Sequence, residues 1–226
     1  FMIQNLFGKL NPPFKKTYIP RATEIDQTKL KSSLEEGIDG GYVFLEGTGK
    51  GKAVVIHPKC NVEYLKWIKN ELLNSYIDSI KYAGCIDYWV TGVGEKGHIA
   101  FHESGIPLYH EMLLVKLDDN TINNAVKDGH FKSADIPHYA ISIGAGGLFR
   151  YTRNVLLLAY GERKTESVAL SLLGPVTPNV PASGLQAYAQ MGGNVIYVLD
   201  EIAAKGIVGK NTISNKNGIT IIDLRQ

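Results

Sequence analysis

Between Gly92 and Gly105 the chain reads GVGEKGHIAFHESG, and this stretch holds the residue types that proton-transfer chemistry uses. His98 carries an imidazole that titrates near neutrality, so it can take up and return a proton at physiological pH. Glu103 follows five residues later, where a carboxylate can orient the ring or raise its basicity. Gly92, Gly94 and Gly97 precede or adjoin the histidine, and a turn free of Cβ atoms lets backbone approach a ligand closely. Lys96, a cation set among the glycines, is the odd member of the loop. Each residue also has a purely structural reading. A loop histidine can be satisfied by its neighbours, a carboxylate can be a solvated surface group, and many parallel strands end in glycine turns.

Further along, Lys164 falls in AYGERKTESV, between an apolar run and a helical one. An anion there meets an ammonium and a helix N-terminus together, although a lysine on a first helical turn is as readily a solvated one. Lys127 closes another helical segment and is the weaker candidate. Thr177 and Ser183 flank Pro181, where they serve either as hydrogen-bond donors or as caps of the next helix. Asp39, Asp87 and Asp135 lie in or beside apolar segments, and spacing alone does not bring them to His98. Other chemistries lack their patterns. Gly97 falls at the wrong interval for a dinucleotide-binding fingerprint, and the glycines from Gly47 to Gly51 lead into no Gly-Lys-Ser/Thr. The histidines are dispersed, with neither His-Glu-x-x-His nor paired CxxC, so no metal site is expected. No GxSxG elbow occurs.

These groups need a scaffold. The 226 residues, 44% of them hydrophobic, are enough for a single domain spanning 1–226 with a sizeable core. A formal charge of +2 is no nucleic-acid signature. Cys60 and Cys85 read as buried thiols, and no apolar run approaches the roughly 18 residues of a membrane span. A cytoplasmic protein without membrane contact is the expectation. The segment from Val62 to Tyr82 places Leu65, Ile68, Leu72, Leu73, Tyr76, Ile77 and Ile80 at helical intervals. Residues 25–34, 120–127 and 162–173 are also predicted helices, Pro181 opens another, and a short one begins at Ile202. Residues 42–45 and 52–57 form a hairpin-like pair. Strands are predicted at 85–91, 111–117, 139–144, 155–160, 194–199 and 219–224. VLLLAY at 155–160 is nearly all apolar, as expected of a central strand covered on both faces. The alternation predicts an α/β fold, an open, mostly parallel twisted sheet flanked by helices, with ligands beyond the carboxyl ends of its strands.

Four segments carry a family resemblance. GVGEKGHIAFHESG is similar to a glycine–histidine–phenylalanine–glutamate loop, and IPHYAISIGAGGLFRYTRNVLLLAYGERK to a strand, turn, strand and phosphate-loop region. GPVTPNVPASGLQ is similar to a proline–alanine–serine–leucine–glutamine signature, and NVIYVLDEIAA to the strand that follows it. The family they resemble is glucosamine-6-phosphate deaminase/isomerase, with 6-phosphogluconolactonase as a more distant relative. The likeness runs from the first residues to about Ala204 and is strongest from Tyr82 onward.

The resemblance implies a modified Rossmann-like fold, no cofactor, and a sugar phosphate as small-molecule partner. It implies opening of the glucosamine 6-phosphate ring, proton movement between carbons, and release of ammonia to leave fructose 6-phosphate. By the same likeness His98 is the ring-opening acid/base, Glu103 its supporting carboxylate and Lys164 a phosphate-binding lysine. Lys127 stands where an arginine is common, which keeps the charge and loses bidentate geometry. Lys96 stands where Asp or Asn is usual. A cation there disfavours protonated His98 and repels a developing ammonium, while attracting the phosphosugar as a whole. If Lys96 suppresses ring opening, Lys96→Asp is expected to raise activity.

The family's first βαβ unit, with a glycine-rich phosphate loop and an aspartate that takes the carbon-bound proton, has no visible counterpart. Glu46, in VFLEG at a strand end, is no convincing replacement. The expectation is therefore a chain that starts downstream of that base. Three functions remain open: an active deaminase/isomerase, a homologue that binds a sugar phosphate or a partner without this catalysis, and a 6-phosphogluconolactonase-like hydrolase. Without the first βαβ unit the sheet is expected to expose apolar surface and to call for a covering partner. Relatives range from monomers to hexamers, so a homo-oligomer is allowed.

Overall fold

The computed structural model describes residues 2–127, 129 and 137–207. Its helices are α1 (Met2–Asn5), α2 (Gln27–Asp39), α3 (Glu63–Trp67), α4 (Ser75–Tyr82), α5 (Asp119–Lys127), α6 (Ala145–Tyr151), α7 (Thr165–Leu173), α8 (Gly184–Gln190) and α9 (Glu201–Ala204). Its strands are β1 (Val43–Glu46), β2 (Lys52–Ile56), β3 (Ile86–Thr91), β4 (Met112–Lys116), β5 (Tyr139–Ile143), β6 (Thr152–Ala159) and β7 (Asn194–Leu199). A wider π-helical stretch, Ile68–Asn74, joins α3 to α4 into one continuous helical segment. The strand foreseen at 219–224, and Asp135, lie outside the described residues.

The expectation of one mostly parallel sheet holds for only three of the seven described strands. Four strands form an antiparallel sheet in the order β1-β2-β4-β5. The remaining three form a parallel sheet in the order β3-β6-β7. The reason begins at the glycine-rich turn between Glu46 and Lys52. Parallel strands need a crossover of a dozen or more residues, so a connection this short returns the chain antiparallel. Helices α2 and α3 and the π-helical stretch cover the antiparallel sheet with Leu30, Leu34, Leu65 and Ile68, packed on Val43, Val54, Ile56 and Leu114.

Helices α6, α7 and α8 cover one face of the parallel sheet, where Leu148, Val168, Leu172 and Leu185 meet Val155, Leu157 and Ala159. Among the described residues the other face is open. Tyr88, Val90, Leu158, Ile196 and Val198 are all exposed, and strand pairing aligns Val90 with Leu156 and Leu158 with Val198. Among the described residues the central strand β6 is thus covered on one face only, where the reading of VLLLAY expected cover on both. Helix α6 was not foreseen, because GAGGLFR reads as a turn. Its glycines serve close packing instead: a Cβ on Gly146 or Gly147 would stand 2.3 Å from the carbonyl oxygens of Tyr109 and Glu111.

The loop after β3 ties the two sheets together. Ile99 is fully buried in the parallel sheet's core, and Ile106 is fully buried with Ala53, Leu113 and Val115 of the antiparallel one. Burying each side chain is worth roughly 1.5–3 kcal/mol. His98 and Glu103 therefore sit on a segment pinned at both ends by core residues.

Candidate active site

Two loops at the carboxyl ends of neighbouring parallel strands build the site. The first follows β3 and carries His98. The second follows β6, passes through Gly161 at φ 81°, and carries Lys164 just before α7. Arg163 donates to Glu95 across 3.4 Å and so bridges the loops. Asp200, at the end of β7, accepts from the Gly161 N–H at 3.0–3.1 Å and from the Ala203 N–H at 2.8 Å. All three strand ends are joined in this way.

The first loop turns sharply. Gly94 N–H donates to the His98 carbonyl and Gly97 N–H to the Gly94 carbonyl, both at 2.9 Å. Gly97 adopts φ +74°, the left-handed region that favours glycine, and a Cβ there would meet Val180 at 2.5 Å. Gly94 lies against the imidazole, since a Cβ would fall 2.2 Å from the His98 ring. Gly92 has no such close neighbour. The turn around Pro181 braces the loop from outside. Gly105 N–H donates to Pro178 and Ala182 N–H to Gly97, both at 2.8 Å. Ser183 is buried and spends its hydroxyl on the Thr177 backbone, so it is a fold-holding residue.

His98 Nδ1 lies 3.9 Å from Glu103 Oε2, within ion-pair range and beyond a hydrogen bond. Burial lowers the His98 pKa first, and the Lys164 ammonium lowers it further. The Asp118 and Glu95 carboxylates push it up, and Lys96 pushes it down. The net direction is downward, so the imidazole is neutral at physiological pH and able to accept a proton. Glu103 is almost wholly buried, and burial raises its pKa despite hydrogen bonds from the Thr121 hydroxyl and the Asp118 N–H. The second of these measures 3.2 Å. Gly51 makes room for Glu103, because a Cβ there would stand 2.5 Å from Glu103 Cγ. The β1–β2 turn therefore closes over the carboxylate.

Sequence reasoning missed Asp118, Thr121 and Gly51. Asp118 precedes α5 and its Oδ1 accepts from the Asn120 N–H at 2.8 Å, so an acidic residue before a helix was the available signal. Lys96 was expected to disfavour protonated His98, and its charge does push the imidazole pKa down. It is also paired with Asp118, Nζ to Oδ2 at 3.1 Å. Lys127 stands at the opposite end of α5, roughly 13 Å along the axis from Asp118 at about 1.5 Å per residue. No described contact joins it to His98. Glu46 accepts a hydrogen bond from the Tyr109 hydroxyl, and its other oxygen lies 2.7 Å from His110 Nε2.

His102 has a different part. It is fully buried, its Nδ1 accepts from the Ala145 N–H at 3.0 Å, and its Nε2 faces the Ile106 carbonyl at 3.0 Å. The first contact requires a bare Nδ1, so the proton sits on Nε2. Among the described residues no group of His, Cys, Asp and Glu is gathered as for a metal ion. No described helix is long and apolar enough to cross a membrane.

Comparison with known proteins shows what the chain is similar to. No family model matches the chain. A glucosamine-6-phosphate deaminase of Lacticaseibacillus paracasei is 32% identical over 211 residues, 93% of this chain and 67% of the relative. One from Enterococcus faecalis is 30% identical over 204 residues, covering 90% of this chain and 66% of the relative. The chain thus spans about two thirds of the length of these relatives. A solved structure of a monomeric glucosamine-6-phosphate deaminase superimposes with a TM-score of 0.53 at 26% identity, over 59% of this chain and 53% of that one. By its identity to these relatives over most of its length, the chain belongs to the glucosamine-6-phosphate deaminase family.

Proposed function

We propose that the chain acts on an amino-sugar phosphate, with His98 transferring the proton that opens the ring. Glu103 supports the imidazole, and Lys164 with the start of α7 takes the phosphate. The observation that carries this reading is the approach of Lys164 to His98 at neighbouring strand ends, close enough for its charge to lower the imidazole pKa. A neutral imidazole removes a proton from the sugar hydroxyl and returns it to the ring oxygen as the C–O bond breaks. The ammonium and the adjacent helix start attract the phosphate dianion at the other end of the sugar. The family membership supports glucosamine 6-phosphate as substrate, with fructose 6-phosphate and ammonia as products.

Specific contacts favour a second reading, binding of the phosphosugar without the carbon-to-carbon proton transfer. That step needs a carboxylate free to take a carbon-bound proton. Asp118 is engaged by Lys96, Glu95 by Arg163, and Glu46 by Tyr109 and His110. Nothing in the site geometry favours the lactone hydrolysis considered from the sequence, and the curated relatives named above are deaminases. One experiment separates the two favoured readings. The purified chain is incubated with glucosamine 6-phosphate while ammonia and fructose 6-phosphate are measured, and binding is followed by calorimetry. Turnover abolished in His98→Gln supports the enzyme. Heat of binding lost in Lys164→Gln, without turnover, supports the binding protein. Neither signal refutes both.

A further inference from the structure

We propose that Lys96 and Asp118 form one positioning unit for His98 and Glu103. In it the Asp118 backbone N–H holds the Glu103 carboxylate, while the Asp118 side chain cancels the Lys96 charge beside the imidazole. The inference rests on His98 and Glu103 being the working pair, and it adds two residues to them.

The geometry runs through a single residue. Asp118 Oδ2 takes the Lys96 ammonium at 3.1 Å, and Oδ1 takes the Asn120 N–H at 2.8 Å. The Asp118 carbonyl takes the Ile122 N–H at 3.1 Å, which starts α5. The Asp118 N–H goes to Glu103 Oε1 at 3.2 Å, leaving Oε2 as the oxygen nearest His98. Any movement of Asp118 therefore turns the carboxylate that faces the imidazole. The burial of the two partners is unequal. The Asp118 side chain is 8% exposed and that of Lys96 is 49% exposed. A carboxylate this buried depends on its cation, and removing one partner of such a pair costs far more than removing both. Lys96 is thereby explained as the cation that permits Asp118 to be charged where it stands.

The simplest expectation from the sequence, relief of a repulsion at His98 by Lys96→Asp, leaves out Asp118. Lys96→Asp removes a charge that lowers the His98 pKa and breaks the pair with Asp118 at the same time. It sets a third carboxylate beside Asp118 and Glu103, both buried, and takes away the ammonium they share a neighbourhood with.

The test is a titration of the His98 imidazole by nuclear magnetic resonance, with the signal assigned through His98→Gln. It needs no substrate, so it stands even where turnover is absent. The charged groups acting on His98 are Lys164, Asp118, Lys96, Glu95 and Glu103, and the variants change only two of them. Asp118→Asn keeps the backbone N–H and an oxygen for the Asn120 N–H, and loses the charge. It should lower the His98 midpoint by on the order of half a pH unit. Lys96→Gln should raise the midpoint by a smaller amount. In urea unfolding Lys96→Gln should lower the midpoint concentration, and Asp118→Asn added to it should recover part of the loss. Opposite displacements of the His98 titration with that recovery support the unit. An unchanged His98 midpoint in both variants, or a double variant less stable than Lys96→Gln alone, overturns it. Should Asp118→Asn not fold, Lys96→Gln changes a half-exposed side chain, and its titration decides alone.

Discussion

Acid should destabilise this protein through His102, and the size of the effect follows from its surroundings. The ring is fully buried, and burial holds its pKa at about 4 against the ordinary 6.5. Its hydrogen bonds require the neutral form, since protonation of Nδ1 would set two donors, the ring and the Ala145 N–H, against each other. The unfolded chain therefore binds the proton that the folded chain refuses. Stability contributed in this way is complete above about pH 6.5 and is lost as the pH falls toward 4. The gap of about 2.5 pH units corresponds to about 3.4 kcal/mol in full, and to about 2 kcal/mol between pH 7 and pH 5. His98, also lowered, adds to the same slope, whereas Glu103, raised, opposes it as its folded form takes a proton first. The comparison is thus made by difference. Urea unfolding of the parent and of His102→Gln is measured at pH 7, 6 and 5. Gln keeps a donor and an acceptor but does not titrate. The gap in stability between the two should shrink by about 2 kcal/mol over that range. Parallel curves, or a His102 signal titrating near its ordinary value, would refute the reasoning.

Three further outcomes follow from the site geometry. Gly94→Ala drives a methyl to 2.2 Å from the His98 ring and should cut turnover, or ligand affinity if turnover is absent, by on the order of 10²-fold, with the circular dichroism spectrum unchanged. Gly51→Ala forces Glu103 aside at 2.5 Å and should alter the His98 titration midpoint, although Gly51 lies in another loop; an unaltered midpoint would remove Gly51 from the site. Lys164→Gln should raise that midpoint, because Lys164 lowers it in the parent, and saturating inorganic phosphate should do the same to the parent but not to the variant.

The sequence offered candidates for the site more readily than their wiring. His98 and Glu103 stood out as a histidine and a carboxylate bracketed by glycines, and Lys164 because it lies between a strand and a helix. Asp118 was not legible as a site residue. A helix-capping aspartate looks the same whether its carboxylate faces water or a lysine 22 positions earlier, and only the fold brings Lys96 to it. The elements were readable for the same local reasons: the buried stripe from Leu65 to Ile80 follows helical intervals, and β3, β4, β5 and β7 appear where the β-branched and aromatic runs lie. Strand pairing was less readable. Apolar content shows that β6 is a strand but does not say whether both faces or one are covered, and among the described residues Leu158 and its neighbour Val198 are exposed.

The charge pattern around His98 also joins recruitment to readiness. Burial and Lys164 both keep the resting imidazole neutral, which is the form that accepts a proton. On the proposed function, a phosphate dianion at Lys164 would cancel one of those two influences, and the imidazole would be a stronger base with the ligand present. Asp118 works in the same direction from the other side, and its own carboxyl stays ionised because the Asn120 N–H and Lys96 outweigh its burial. Lys96 thus belongs to the electrostatic balance as the partner that keeps Asp118 charged. The loop between Gly92 and Gly105 sets the imidazole in place, and the charges of Lys96 and Lys164, acting with burial and Asp118, set its basicity.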